Sequence, residues 1–523
     1  MRSLPLTRPP DEPAGPFRVP NAGCSVSEPD EMPRFYRQAP FTPMAAIFLL
    51  SALMLAAPPA LARPPSVPAD VSWCAEGRNL SFAQRISGCS AILTRKRTTT
   101  NARVAAHVLR GQAYAGQRAY APAIVDFSAA VRLNGAYAAA YRERADAYLA
   151  TGDTARAIAD FSASIRLDPD KGGYLGRGVA YLQVKDLDHA IADFGELIRR
   201  QPSDKVGYIN RGEARRRKGE VERAIADFDQ AITLDPKDSS AWFNRGIAHS
   251  DNGDPDRAIA DYSQAIRLKA DDAWYYNNRG NSYTDKKDRE RAMADYDRAI
   301  ALDPKFALAY FNRGTAYWNR NDGDRALADL NKSIRLDPSY APAFGNRARL
   351  YRDKGDADRA FADFSAALLL DPRASRDYFA RGNMYFDGHD YKLALADYDA
   401  AIRYDPAYAS AFNGRCLTRA ILGQVREALT DCEQALKLEP GSAYATDSRG
   451  FCHLRLGELD AAIADFTAAL AINTKLADSF YGRGVARRKQ GDIDGAHADI
   501  EAAKAISPDI ATKFASYGIE KAD

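Results

Sequence analysis

Apolar positions recur with helical spacing from residue 104 to residue 510, inside a longer period. Pro169, Pro202, Pro236, Pro304, Pro338, Pro372, Pro406, Pro440 and Pro508 stand 34 residues apart or at multiples of it, with one step of 33. Gly135, Ala270 and Thr474 fill the remaining places, which makes twelve units. They begin at Val104, Ala138, Lys171, Lys205, Ser239, Ala273, Ala307, Ala341, Ser375, Ala409, Ala443 and Ala477. Position 4 is aromatic in ten units, position 8 is glycine in nine, and position 20 is alanine in all twelve, from Ala123 to Ala496. Position 24 is mostly Phe or Tyr, as in Phe127, Phe228 and Tyr398. Apolar residues at 4, 8 and 11, then at 20, 24, 27 and 28, form two amphipathic helical stripes per unit. Turns such as Thr151-Gly152-Asp153 separate them. The Leu-Asp-Pro closing many units ends the second helix, because the residue before proline is pushed out of the α region.

This pattern resembles the tetratricopeptide repeat (TPR) over residues 104–510. The resemblance implies an all-α fold, a right-handed superhelical solenoid of twelve helix-turn-helix units with helix A on the concave side. A single unit cannot bury its apolar face, so units stack and the ends need caps. Residues 511–523 are the expected C-terminal capping helix, with Phe514 at position 4 and Gly518 at position 8. Residues 63–103 form the N-terminal cap, in which Phe82–Leu93 resembles a degenerate helix B.

Two positions depart from the family's usual residues. Position 7 is Arg in every unit, from Arg110 to Arg483, and position 23 is Asp in every unit, from Asp126 to Asp499. A guanidinium fork suits a partly buried carboxylate, so a ladder of ion pairs is expected; an electropositive stripe for acidic ligands is the competing reading. Gly88 stands where an earlier Asp would precede Arg110, and Tyr517 stands where a later Arg would follow Asp499. Both array ends therefore favour pairing inside one unit.

Position 6 is Asn in five consecutive units: Asn210, Asn244, Asn278, Asn312 and Asn346. In the family this position faces the concave groove. A carboxamide both donates and accepts, so a row of them can hold a peptide backbone without reading its side chains. The row resembles the asparagine ladder in the repeat region of O-linked N-acetylglucosamine transferase. Phe243, Trp274, Phe311 and Trp318 add aromatic surface to the expected peptide-binding groove. The competing reading is a merely solvated polar face.

The N-terminus changes the setting. Residues 45–57 are 13 uncharged, mostly apolar residues, preceded by Arg34 and Arg37 and followed by Ala60-Leu61-Ala62. A spanning helix needs about 20, so residues 1–62 read as a signal-peptide region. Residues before Met32 are Pro-rich and acidic, which suits a translation start at Met32. The chain is expected to be exported, periplasmic or secreted, without stable membrane insertion once the signal is removed; an uncleaved anchor is the alternative. Export permits disulfides. Cys74 with Cys89, and Cys416 with Cys432 at positions 8 and 24 of one unit, are the candidate pairs, against small buried thiols. Cys452 is left over.

Lys plus Arg minus Asp plus Glu is 72 − 69 = +3, too even for a dedicated nucleic-acid binder. No Cys-x-x-Cys and no His-based metal spacing occurs, and no phosphate loop, dinucleotide fingerprint or nucleophile elbow is present. No catalytic residues, metal or cofactor are therefore expected. The reading is a non-enzymatic exported scaffold whose partner is a protein or extended peptide in the concave groove. The alternative is a structural assembly or accessory factor for cell-envelope or polysaccharide export, acting through its convex face or ends.

Overall fold

The computed structural model describes Cys74, residues 80–170 and residues 172–519. The apolar run at 45–57 and the cleavage site expected after Ala62 lie outside the described residues. Within them stand twenty-six α-helices and no strand. Each unit is an antiparallel pair, for example helix A Ser239–Asp251 and helix B Pro255–Leu268. The described residues divide into two compact bodies, one ending at Ala316 and the other beginning at Tyr317. Each is an all-α solenoid of stacked helix pairs.

Local chemistry sets the elements. Asp153, Asp254, Asp288 and Asp356 cap helices B by accepting a hydrogen bond from a backbone N–H of the first turn. The residue just before this cap is left-handed, and glycine usually supplies it, as at Gly253 with φ 74°. Inside a unit, helices A and B approach at positions 8 and 24. A Cβ placed on Gly246 would lie 2.7 Å from the Tyr262 ring, so only glycine fits. Successive helices A also pack on one another in each body, whereas successive helices B do not to the same extent. The A side is therefore the inner, concave face.

Arginine at position 7 ties three helices together. In eleven units its Nε donates to Oδ2 of the position-23 Asp, sixteen residues on, at 2.6–3.0 Å. For Arg279, Nε and Nη2 hold both oxygens of Asp295 at 2.8 Å, while Nη1 donates to Ser263 Oγ at 3.0 Å. Ser263 belongs to helix B of the preceding unit. The same third arm reaches Ser128 from Arg144, Asp229 from Arg245 and Ser365 from Arg381. The expectation of pairing inside one unit holds for these eleven, and in nine of them Nη1 adds a bond to the preceding helix. The guanidinium also lies over the aromatics at positions 4 and 11, as Arg279 does over Tyr276 and Tyr283. Burial alone would push the Asp126 carboxyl up, but hydrogen bonds from His107 and Arg110 outweigh it and hold the carboxyl below its ordinary value.

At one boundary the third arm meets glycine. Gly195 occupies position 25 before Arg211, and a Cβ there would meet only Arg211 Nη1, at 3.9 Å. Gly195→Ser supplies the missing acceptor and removes a glycine from the interior of helix Leu187–Arg200. A hydrogen bond contributes about 0.5–1.5 kcal/mol, and replacing a mid-helix glycine about 0.5–1 kcal/mol. Denaturant unfolding should show this part of the array stabilised by roughly 1 kcal/mol or more.

Candidate functional site

The inner face of the first body carries four of the five position-6 asparagines. Asn210 Nδ2 donates to Val206 O at 2.9 Å, and Asn278 Nδ2 donates to Trp274 O at 2.9 Å. Asn312 Nδ2 donates to Asn277 Oδ1, also at 2.9 Å. These bonds orient each amide: the NH2 end turns to the protein and Oδ1 is left without a protein partner. Asn244 is half-buried and makes no hydrogen bond within the described residues. Asn210 is largely buried; Asn278 and Asn312 are half-buried. The row therefore offers mainly acceptors at one-unit spacing, and an acceptor selects N–H groups.

The aromatic residues divide. Trp274 is half-buried and packs on Phe306, with ring centroids 4.6 Å apart. Phe243, also half-buried, leans on Tyr275 at 4.8 Å and Tyr262 at 5.7 Å. Phe311 is only 5% exposed, so it fills the seam instead of facing a ligand.

Asn346 and Trp318 belong to the second body. Asn346 accepts from Arg349 Nη1 at 3.4 Å, beside the ion pair of Arg349 with the buried Asp377. Its surroundings are thus charged. Trp318 Nε1 donates to Asp353 Oδ2 at 3.3 Å.

Two further amides shape this face, Asn277 at position 5, where the sequence also offers groove groups, and Asn281, which the sequence reading missed. Asn277 is fully buried and orients Asn312, while its own Nδ2 is unpartnered. Asn281, at position 9, accepts from the Tyr296 hydroxyl at 2.8 Å, which leaves its NH2 end free to donate from the same inner face. A signal for it exists: Asn occurs at position 9 only where position 24 is Tyr, as again at Asn383 and Tyr398.

Part of the inner face of the second body is covered by the chain's own end. Helix Ile510–Ser516 and the turn after it lie on helices A of the units from Ser375, Ala443 and Ala477. Phe514 packs on Tyr481 at 4.8 Å and Phe451 at 5.9 Å, and Tyr517 on Phe386 at 6.2 Å. Arg455 Nη1 donates to Tyr517 O at 2.7 Å. Lys513 pairs with Asp478 at 2.6 Å, next to Asp447. Burial, then the Asp478 charge, pushes the Asp447 carboxyl up to about 7.

Disulfides join Cys74 to Cys89 and Cys416 to Cys432. The second replaces the contact of glycine with an aromatic ring that other units make at positions 8 and 24. Cys452 is a buried free thiol.

No curated protein matches the chain. Among solved structures, MamA is 26% identical over 32% of this chain and 96% of its own, with TM-score 0.29. YrrB, described as a TPR protein with an unusual peptide-binding site, is 23% identical over 36% of this chain and 97% of its own, with TM-score 0.29. Yeast Tom70 is 18% identical over 80% of this chain and 100% of its own, with TM-score 0.36. Tetratricopeptide repeat models match residues 108–172, 142–205, 175–239, 209–273, 346–415 and 422–477, with further repeat models at 280–321 and 307–340. More than half of the chain is thereby matched, and the chain belongs to the tetratricopeptide repeat family.

Proposed function

We propose that this protein is an exported, non-enzymatic scaffold that binds an extended polypeptide along helices A of the first body, over the units from Lys205 to Ala307. The observation that carries the reading is the orientation of the ladder. Asn210, Asn278 and Asn312 each spend the NH2 end on the protein and keep Oδ1 free. Equal acceptors at repeat spacing suit a ligand whose donors also repeat, and backbone N–H groups repeat whatever the sequence. Trp274 and Phe243 add apolar surface beside the row, and Asn281 adds a donor for a backbone carbonyl.

A second reading, assembly through the outer face or the ends, draws support from the second body. There residues 510–519 lie on helices A of three units, which leaves a partner of that body mainly its other surfaces.

A photoreactive side chain at position 244 tests the first reading, with position 230 on helix Val221–Leu234 as the outer-face control. The probe is a pool of short unstructured peptides. Adducts at 244 and not at 230 are expected; adducts confined to 230 would favour the outer face. Export has its own test: N-terminal sequencing of the mature chain should begin at or near Arg63, and a chain that keeps residues 45–57 would overturn it.

A further inference from the structure

We propose that Cys416, Cys432 and Cys452 form one thiol–disulfide exchange site, in which Cys416 closes a disulfide with either of two partners. All three side chains are fully buried. The free Cys452 Sγ lies 3.6 Å from Cys416 Sγ, and the three sulfurs lie within 4.8 Å of one another. They come from three helices: Ala409–Ile421, Val425–Leu438 and Ala443–Leu456. Helices Ala409–Ile421 and Ala443–Leu456 pack more closely than any other pair of successive helices A among the described residues.

The step needs no outside oxidant. The Cys452 thiolate attacks Cys416 Sγ, a bond forms between those sulfurs, and the Cys416–Cys432 bond breaks. Cys432 leaves as a thiolate and takes up the proton that Cys452 gave up. One disulfide and one thiol exist before and after. The two products differ mechanically. The Cys416–Cys432 bond ties helix A to helix B inside one unit, whereas a Cys416–Cys452 bond ties helices A of consecutive units and so fixes the spacing of the inner wall.

Two features make the exchange slow. Displacement at sulfur requires the three atoms in line, and they form a triangle, so a side chain must rotate first. Burial pushes the Cys452 thiol up to about 12, and only the thiolate attacks. The thiolate fraction, and with it the rate, therefore rises about tenfold per pH unit below that value.

The test is disulfide mapping of the full chain after incubation in a buffer of a small thiol and its disulfide, with acid quenching. The wild type should yield peptides linked 416–432 and peptides linked 416–452, and the second set should appear faster at higher pH. Cys432→Ser should carry the 416–452 bond throughout. Wild-type chain holding only the 416–432 bond at every pH would overturn the proposal, as would a helical Cys432→Ser chain with two free thiols. If Cys432→Ser fails to fold, the wild-type mapping decides alone.

Discussion

Asp295→Ala should destabilise its unit by about 3 kcal/mol or more. Asp295 is 5% exposed, and both of its oxygens are held by Arg279. Removing one partner of a buried pair costs about 3–5 kcal/mol, because the other charge is left uncompensated; an exposed pair contributes about 0–1 kcal/mol. Arg279 keeps Ser263 and its place between two tyrosine rings after the change, which places the loss near the lower end of the buried range. Repeat arrays open locally, so hydrogen exchange in helix Arg289–Leu302 reports the effect more directly than a global melt. A double-mutant cycle with Arg279→Met should show coupling of roughly 0.5–3 kcal/mol, the range for residues in contact. Strict additivity would mean that the pair carries no shared energy.

The pairing itself was legible in the sequence because the array has ends. Gly88 and Tyr517 leave no earlier Asp for Arg110 and no later Arg for Asp499, and eleven pairs follow the within-unit rule. The third arm was not legible. Position 25 is Ser, Asp, Asn or Thr in nine units and Gly or Glu in the other three, which reads as an ordinary polar surface until Nη1 of the next unit's Arg is seen bonded to it. The ladder shows the same division. Asparagine spacing is written in the sequence; the flip of each amide depends on Val206 O, Trp274 O and Asn277 Oδ1, which only the folded backbone places. Phe311 looked like groove surface because position 5 adjoins position 6, yet it is buried. The C-terminal helix was expected from Phe514 and Gly518. Its contact with Phe386, four units earlier in register, requires the curvature of the second body. Cys452 was a leftover by elimination, and its contact with Cys416 depends on the close approach of helices A.

The ladder carries the second large effect. Loss of a hydrogen bond costs about 0.5–1.5 kcal/mol, so removing two ladder amides should weaken binding by roughly 1–3 kcal/mol, about fivefold to two-hundredfold. The choice of residues matters. Asn312→Ala would strip Asn277 Oδ1 of its donor and cost stability of about 1–3 kcal/mol in a buried place, confusing binding with folding. Asn244 and Asn278 are the clean pair. Asn244 has no protein partner to lose, and the bond of Asn278 to Trp274 O stays within one helix.

The most direct measurement is therefore a titration of the full chain and of the Asn244→Ala, Asn278→Ala chain with a fluorescent unstructured peptide, with helicity followed alongside. Binding to the inner-face ladder predicts a folded double variant whose affinity falls at least fivefold, with similar losses for peptides of unrelated sequence. Equal affinity in a folded double variant would contradict it.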